Sequence, residues 1–319
     1  MKENPRYTFL LPAFKARFFE EALLSIKSQT YRDFKVIVSD DCSPEDLKSI
    51  YDKVCFDDPR FKYRRNDENM GGKSLVSHWN LLVDMCDTEF LIMASDDDVY
   101  LPNFLSASDQ LLEKYPACNL LRGRSRAIDG DRTVYKEECQ TEDWVDTVEF
   151  IHRVYESDFV GGIASFIYRT EELKKSGMFI DFPSAWFSDD ATNFIMAGHG
   201  CCITEDITFE VRNSDINISG QWGNPIDSEK KVRATYAFYY WMKVYIGHLY
   251  DSNEQKKELL DIIEKEYKTK VRNNIQNYIY NCSLFVFLRC LYLCPKELQM
   301  NKFRMLMHKF NGWRLRLCR

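Results

Sequence analysis

Glycine and proline are scarce in this chain, at 13 and 9 of its 319 residues, which excludes collagen-like and low-complexity classes. No apolar run reaches the roughly 18–20 residues that a membrane span requires. The opening MKENPRYTFLLPAF has only a short apolar stretch before Pro12, so no secretory signal is expected there. The 11 cysteines form neither a CxxC pair nor a Cys/His cluster of zinc spacing. They read as reduced, mostly buried thiols of a cytoplasmic protein. Positive charge is in deficit as well: 43 Lys and Arg against 49 Asp and Glu give a formal net charge of −6. A general nucleic-acid binder would carry a basic surface, so nucleic acid is excluded as a partner.

What is present is material for a sizeable core, with 45% hydrophobic and 14% aromatic residues. At roughly 150 residues per domain, the length suggests two domains, or one large one with an extension. Through about residue 120, apolar strand-like runs alternate with helical patterns. YTFLL (7–11) precedes a helix over 16–29, with Phe19, Leu23 and Ile26 on one face. FKVIVS (34–39) precedes a helix opening at Ser43-Pro44. Residues 61–65 form a weaker strand, 74–86 a helix, FLIMA (90–94) a fourth strand, and Pro102 opens a further helix. This alternation predicts a mostly parallel, doubly wound sheet flanked by helices. The stretch 123–160 reads as irregular and polar. VGGIASFIY (160–168), a short helix at 170–176, and the strands CCIT and TFEVR follow. Beyond about 228 the pattern is helical, which places a boundary near 220, between a domain 1–220 and a helical extension 221–319.

Sheets of this kind bind ligands beyond the carboxyl ends of their strands. Acidic residues gather at two such ends. Asp40-Asp41 follows the second strand and can accept a hydrogen bond from a base N–H or a ribose hydroxyl. A plain turn, with Ser43 as N-cap, is the competing reading. Asp96-Asp97-Asp98 follows the fourth strand. Three adjacent carboxylates raise one another's pKa unless a cation neutralises them, and Mg²⁺ or Mn²⁺ shared with a substrate diphosphate is one solution. A solvated acidic turn is the other. Ser188-Asp189-Asp190, after bulky aromatics, suits a general base or, alternatively, a helix N-cap. The segment Asn69-Met70-Gly71-Gly72-Lys73-Ser74 is not a P-loop, because Asp67 stands where that motif needs its first glycine. Its glycines still allow close backbone approach to a ligand, and Lys73 could face phosphate.

In order and spacing these pieces resemble glycosyltransferase family 2, the inverting nucleotide-sugar transferases of the GT-A fold, over roughly residues 6–220. YTFLLPAF and SIKSQTYRDFKVIVSDDCSPE look like the family's first strand, helix and acidic strand end. NMGGKSLVSHWNLLVD is similar to its N-x-G…N segment, at Asn69, Gly71 and Asn80. FLIMASDDDVYLPNFL, GGIASFIYRTEELKKSGMF, FSDDATNFIMAGHG and VRNSDINIS resemble, in turn, the acidic motif, the acceptor-side strand and helix, the acidic helix start and the late loop. Two positions depart from the pattern: Ser95 stands where Asp is common, and Ser214 where His is common.

The resemblance implies a Rossmann-like GT-A sheet and transfer of a sugar from a UDP-sugar to a saccharide or lipid-linked saccharide, in surface polysaccharide synthesis. Asp41 would meet the uridine base, with Pro12 and Phe14 lining its pocket. Asn69, Gly71 and Asp96 would lie on the donor. Asp97 and Asp98 would hold Mn²⁺ or Mg²⁺ at the diphosphate. Asp190 would be the base, and Arg212 and Ser219 would belong to a loop closing over the donor. Two other readings stand beside this one. The first is a non-catalytic scaffold relative, kept open by Ser95. The second is a sugar nucleotidyltransferase, which would need a Gly-rich loop after the first strand where LLPAFKARF has none.

Residues 282–294 form an apolar run interrupted by Arg289, and residues 296–319 carry seven Lys and Arg against Glu297. An apolar helix followed by a basic segment raises the expectation of peripheral contact with the inner face of a membrane. The alternative is an ordinary packing helix with a solvated tail.

Overall fold

The fold is that of a computed structural model, which describes residues 5–156, 159–215, 225–249, 253–262 and 283–293, with Lys302, Phe303, Met305–Met307 and Lys309 beyond them. The chain divides into two compact units, Met1–Asp181 with Ser188–Ser214, and Phe182–Phe187 with Asp215–Arg319.

The first unit opens with β1 (Tyr7–Ala13), α1 (Phe19–Lys27), β2 (Phe34–Asp40), α2 (Leu47–Cys55), β3 (Phe61–Arg65), α3 (Gly71–Met85) and β4 (Phe90–Met93). Then come β5 (Val99–Tyr100), α4 (Phe104–Lys114), β6 (Leu120–Ile128), β7 (Val134–Glu137), β8 (Trp144–Val145) and α5 (Thr147–Glu156). β9 (Phe166–Arg169), α6 (Thr170–Lys175), α7 (Ser188–Met196) and β10 (Cys201–Arg212) complete it. The ten strands among the described residues join one sheet, with the order β3-β2-β1-β4-β9-β6-β10-β5, β7 on β6 and β8 on β10.

Strands β3, β2, β1 and β4 pair in parallel, as the alternating pattern predicts. β4 is buried throughout and β1 nearly so, as expected of strands covered on both faces. Beyond β4 the sheet is mixed: β9 is antiparallel to β4 and β6, and β10 is parallel to β6 but antiparallel to β5. After β3 the chain returns to the other side of β1 to lay down β4. The strand order therefore reverses at β1–β4, and sheets of this kind bind ligands beyond the carboxyl ends of the strands at such a point.

Helix α1 turns Phe19, Leu23 and Ile26 into the core and leaves Leu24 outside. Phe9, Tyr100, Phe104 and Phe209 pack as an aromatic cluster with ring centroids 4.8–6.4 Å apart. Gly123 of β6 faces this cluster. A Cβ there would lie 2.7 Å from both Phe104 Cε2 and Thr208 Oγ1. Gly123→Ala is expected to destabilise the protein by about 1–3 kcal/mol through overpacking, read as a lowered Tm in a thermal melt.

Several boundaries differ from expectation. Helix α2 is capped by Asp46, whose carboxylate accepts the Ser49 N–H at 3.1 Å, so Ser43 is not its N-cap. Pro102 lies just before α4 rather than in its first turn. CCIT and TFEVR are one strand, β10, with register irregularities between Ile203 and Phe209. The stretch expected to be irregular holds β6, β7, β8 and α5. In β6, Arg122, Arg124 and Arg126 share one side of the strand, which erases the apolar alternation that marks a half-buried strand. Arg122 is nevertheless fully buried, with its guanidinium paired to Glu138 and donating to the Val160 carbonyl at 2.7 Å.

In the second unit, helix α8 (Pro225–Leu249) and helix α9 (Asn253–Ile262) carry the helical pattern expected beyond residue 228. Phe187, Phe238, Trp241 and Tyr245 stack nearly parallel there, at centroid separations of 4.6, 6.0 and 4.8 Å.

Candidate active site

Three loops meet beyond the carboxyl ends of β1, β2 and β4. The Asp96 carboxylate, after β4, accepts the backbone N–H groups of Phe14 and Lys15, both at 2.8 Å. Ser43, after β2, donates its hydroxyl to the Phe14 carbonyl at 2.6 Å. The Asp41 N–H donates to the Ala13 carbonyl at 2.9 Å. Phe14 is thus held at both ends of its backbone while its ring stays exposed beside Pro12.

Asp41 is almost fully buried. One carboxylate oxygen accepts from Asn66 Nδ2 at 2.8 Å and the Met70 N–H at 2.9 Å, and the other from the Gly71 N–H at 2.7 Å. A Cβ on Gly71 would sit 2.9 Å from that second oxygen, which is why the position needs glycine. Asn69 accepts the Gly72 N–H at 2.6 Å. The segment 66–72 is therefore drawn onto the end of β2 by Asp41 and closed by Asn69. A carboxylate has about four lone-pair sites, so Asp41 keeps room for one further donor. Lys73 instead pairs with Glu68 at 2.6 Å, and Asn80 ties α3 to Phe179 through both backbone groups, at 3.0 Å each.

His78 is buried beneath Asp41, with Nε2 2.9 Å from Ser39 Oγ and 3.3 Å from Asn66 Nδ2, and Nδ1 3.6 Å from the Asp41 carboxylate. Burial holds its pKa below the usual imidazole range, against the pull of Asp41. The Asn66 amide nitrogen can only donate, so Nε2 accepts and the proton sits on Nδ1, facing Asp41.

The acidic triplet is buried as a whole. Asp98 accepts the Ser95 hydroxyl at 2.5 Å and the Arg212 N–H at 2.8 Å, so both of its oxygens have protein partners. The Asp97 carboxylate has one ion-pair partner among the described residues, Lys15 Nζ at 3.8 Å. Burial, and then repulsion from Asp97, pushes the Asp96 carboxyl up to about 6, and the same causes raise Asp98. Asp96→Asn should therefore raise Tm in EDTA near pH 7.5, with a smaller gain near pH 4. A carboxyl whose folded pKa exceeds its unfolded value of 3.8 loses stability as pH rises through that window, and asparagine does not. Thermal melts of both proteins across this range measure the difference.

Arg212, expected in a loop over the donor, is the last residue of β10 and fully buried. Its guanidinium donates to the carbonyls of Asp97 at 2.9 Å and Asp129 at 3.0 Å, pairs with Glu21 at 2.5 Å, and lies over the Phe18 ring. It braces the acidic loop from behind. Ser219 lies outside the described residues.

Asp189 and Asp190 occupy the first turn of α7, where the helix dipole favours carboxylates. Burial raises the Asp189 pKa, opposed by backbone N–H groups that include that of Ile163. Its Oδ2 lies 3.3 Å from where a Gly162 Cβ would stand. Just before α7, the non-glycine residues Ser184, Ala185 and Phe187 hold φ of 59°, 55° and 67°. That left-handed backbone costs energy and clusters at functional sites.

Among the described residues, no three His, Cys, Asp or Glu side chains converge as a ready metal cage. The triplet nonetheless fits a divalent cation in another way. Three buried carboxylates stand together with one ammonium beside Asp97 among the described residues, and the remaining ligands of a cation would be phosphate oxygens and water, as is usual for Mg²⁺. Lys15, Asn66 and His78 were not singled out from sequence. Asn66 follows the carboxyl end of β3, a position the switch-point rule could have flagged. His78 carries no local signal.

Residues 8–177 match the family model described as "Glycosyl transferase family 2". A GalNAc(5)-diNAcBac-PP-undecaprenol beta-1,3-glucosyltransferase of Campylobacter jejuni is 34% identical over 103 residues, 32% of this chain. The chain spans about a third, 33%, of that relative's length. Among solved structures, Staphylococcus aureus TarS 1-349 in complex with UDP-GlcNAc superposes with a TM-score of 0.66 at 15% identity, covering 97% of this chain and 89% of that one. The Pyrobaculum calidifontis mannosyltransferase PcManGT, in complex with GDP-Man and Mn²⁺, gives 0.56 at 15% identity, covering 97% and 88%. At these identities the two structures show a shared fold.

Proposed function

The chain belongs to glycosyl transferase family 2, and on that premise we propose that it is an inverting glycosyltransferase moving a sugar from a UDP-sugar to a saccharide acceptor carried on a lipid. The observation that carries this reading is the knot of loops at the β1–β4 switch point, where hydrogen bonds tie the segments of Phe14, Asp41 and the acidic triplet together. The TarS complex supports a uridine nucleotide as donor, and the undecaprenol-linked substrate in the C. jejuni relative's name supports a lipid-linked acceptor. Surface polysaccharide assembly at the cytoplasmic side of the membrane fits both.

In this reading the exposed Phe14 ring and Pro12 line the base pocket, and Asp41 takes a base N–H at its remaining lone pair. Asp41 also holds Gly71 and the Asn69 turn against the nucleotide. Asp97 would hold the divalent cation together with the donor diphosphate, with Asp98 beside it. When bound, the cation supplies Lewis-acid stabilisation of charge building on the leaving diphosphate. Lys15, 3.8 Å from Asp97, adds a second positive group on the same side. Asp96 and Arg212 act through backbone, the first fixing the Phe14–Lys15 loop and the second bracing Asp97 and Asp98. Asp190 takes the proton of the attacking hydroxyl, on a segment separate from the acidic triplet, as displacement with inversion requires.

Calorimetry with UDP-, GDP- and dTDP-sugars, each with Mn²⁺, Mg²⁺ or EDTA, tests the reading. Binding of a UDP-sugar that requires divalent cation supports it, and selective binding of a GDP- or dTDP-sugar overturns the donor assignment.

A further inference from the structure

The helix Leu284–Leu293, α10, is apolar on two sides. Its inner side is packed: Phe287, Cys290 and Leu291 are buried, the Tyr236 hydroxyl of α8 donates to the Cys290 carbonyl at 3.4 Å, and Arg289 reaches Glu229 at 3.3 Å. Its outer side is open. Phe285 is 74% exposed, Leu288 47% and Tyr292 85%, at a three- and four-residue spacing that lines them up along the helix. The helical turn that follows repeats the arrangement, with Met305 buried and Phe303 73% exposed. Lys309 Nζ lies 5.6 Å from the Phe287 ring centroid, which brings that turn beside α10. Large apolar side chains exposed contiguously in this way mark an interaction site.

The charge around the patch selects its partner. Lys302 is exposed alongside these apolar groups, and Arg289 is exposed as well while it pairs with Glu229. The sequence from 296 to 319 has seven Lys and Arg against one Glu, together with Phe310 and Trp313, in a chain whose net charge is −6. In sequence, positive charge is concentrated in the stretch that follows α10. We propose that this face of the second unit docks on an anionic lipid membrane, with Phe285, Leu288, Tyr292 and Phe303 entering the headgroup–acyl boundary and the basic side chains meeting lipid phosphates. No helix among the described residues is long and apolar enough to cross a membrane, so the contact is peripheral. The inference stands on the second unit alone and does not require the transferase reading.

Co-sedimentation of the full chain with vesicles tests it. Phosphatidylglycerol/phosphatidylcholine vesicles should bind at least about tenfold better than pure phosphatidylcholine, and the excess should fall as salt rises. The double variant Phe285→Ser/Tyr292→Ser changes exposed positions only, so its melt should match the parent while anionic-vesicle binding drops by about tenfold or more. Asp97→Ala should bind vesicles like the parent. Equal binding to both vesicle types, or parental binding by the double variant, overturns the proposal. So does concentration-dependent self-association without vesicle binding that the double variant abolishes, since a second copy would then cover the face.

Discussion

Replacing Asp97 by alanine is expected to lower sugar transfer by about 10²–10³-fold, the scale of losing one preorganised group that stabilises developing charge. The same variant should lose the cation-dependent part of UDP-sugar binding, so that EDTA no longer changes its affinity. Its Tm should match or exceed the parent's, because Asp97 is itself a cause of the raised pKa values of Asp96 and Asp98. Removing a buried charge among like charges relieves repulsion. Calorimetry with and without EDTA, a transfer assay and a thermal melt read the three effects separately. Parental donor binding that is indifferent to EDTA would defeat the metal assignment. A variant that merely unfolds would defeat the inference that Asp97 has no structural duty.

Asp190→Asn should abolish detectable transfer, a loss on the order of 10²–10⁴-fold for a general base, while donor affinity stays near that of the parent. Its neighbour supplies the control. The Asp189 carboxyl is raised by burial and takes the Ile163 N–H, so Asp189→Asn is expected to cost less and to act through the placement of the Gly162 loop. If Asp189→Asn, still folded, abolishes turnover and Asp190→Asn does not, the base is one residue earlier than proposed. The pH profile of kcat discriminates further. A base with an ordinary carboxylate pKa leaves activity flat near neutrality, whereas a raised one brings the acid limb upward.

Much of this was legible in the sequence. The parallel half of the sheet follows from apolar runs alternating with amphipathic helices, as in FKVIVS and the Phe19, Leu23, Ile26 face of α1. Glycine at position 71 was legible as a site of close approach. What approaches, however, is Asp41 rather than a ligand atom. The order of the acidic clusters and their strand-end positions was enough to propose a donor site.

The rest required tertiary structure. β6 was hidden because its arginines sit at alternate positions and are matched by carboxylates elsewhere in the chain, Glu138 for the buried Arg122 and Glu210 for the half-buried Arg126. Arg212 looks like a ligand-binding cation in sequence. It proves to be a strut because Asp97, 115 residues before it, and Glu21, 191 residues before it, occupy its donors. The three carboxylates of the acidic triplet are equivalent by composition and differ by their partners among the described residues: two backbone N–H groups on Asp96, Ser95 and Arg212 on Asp98, and the Lys15 ammonium near Asp97. The sequence by itself determined the parallel half of the sheet with its helices and where the acidic residues stand along them, because burying one face of a helix or strand is a local, periodic property. Which partners each carboxylate of the triplet has was decided only when the folded chain brought donors to them from distant segments.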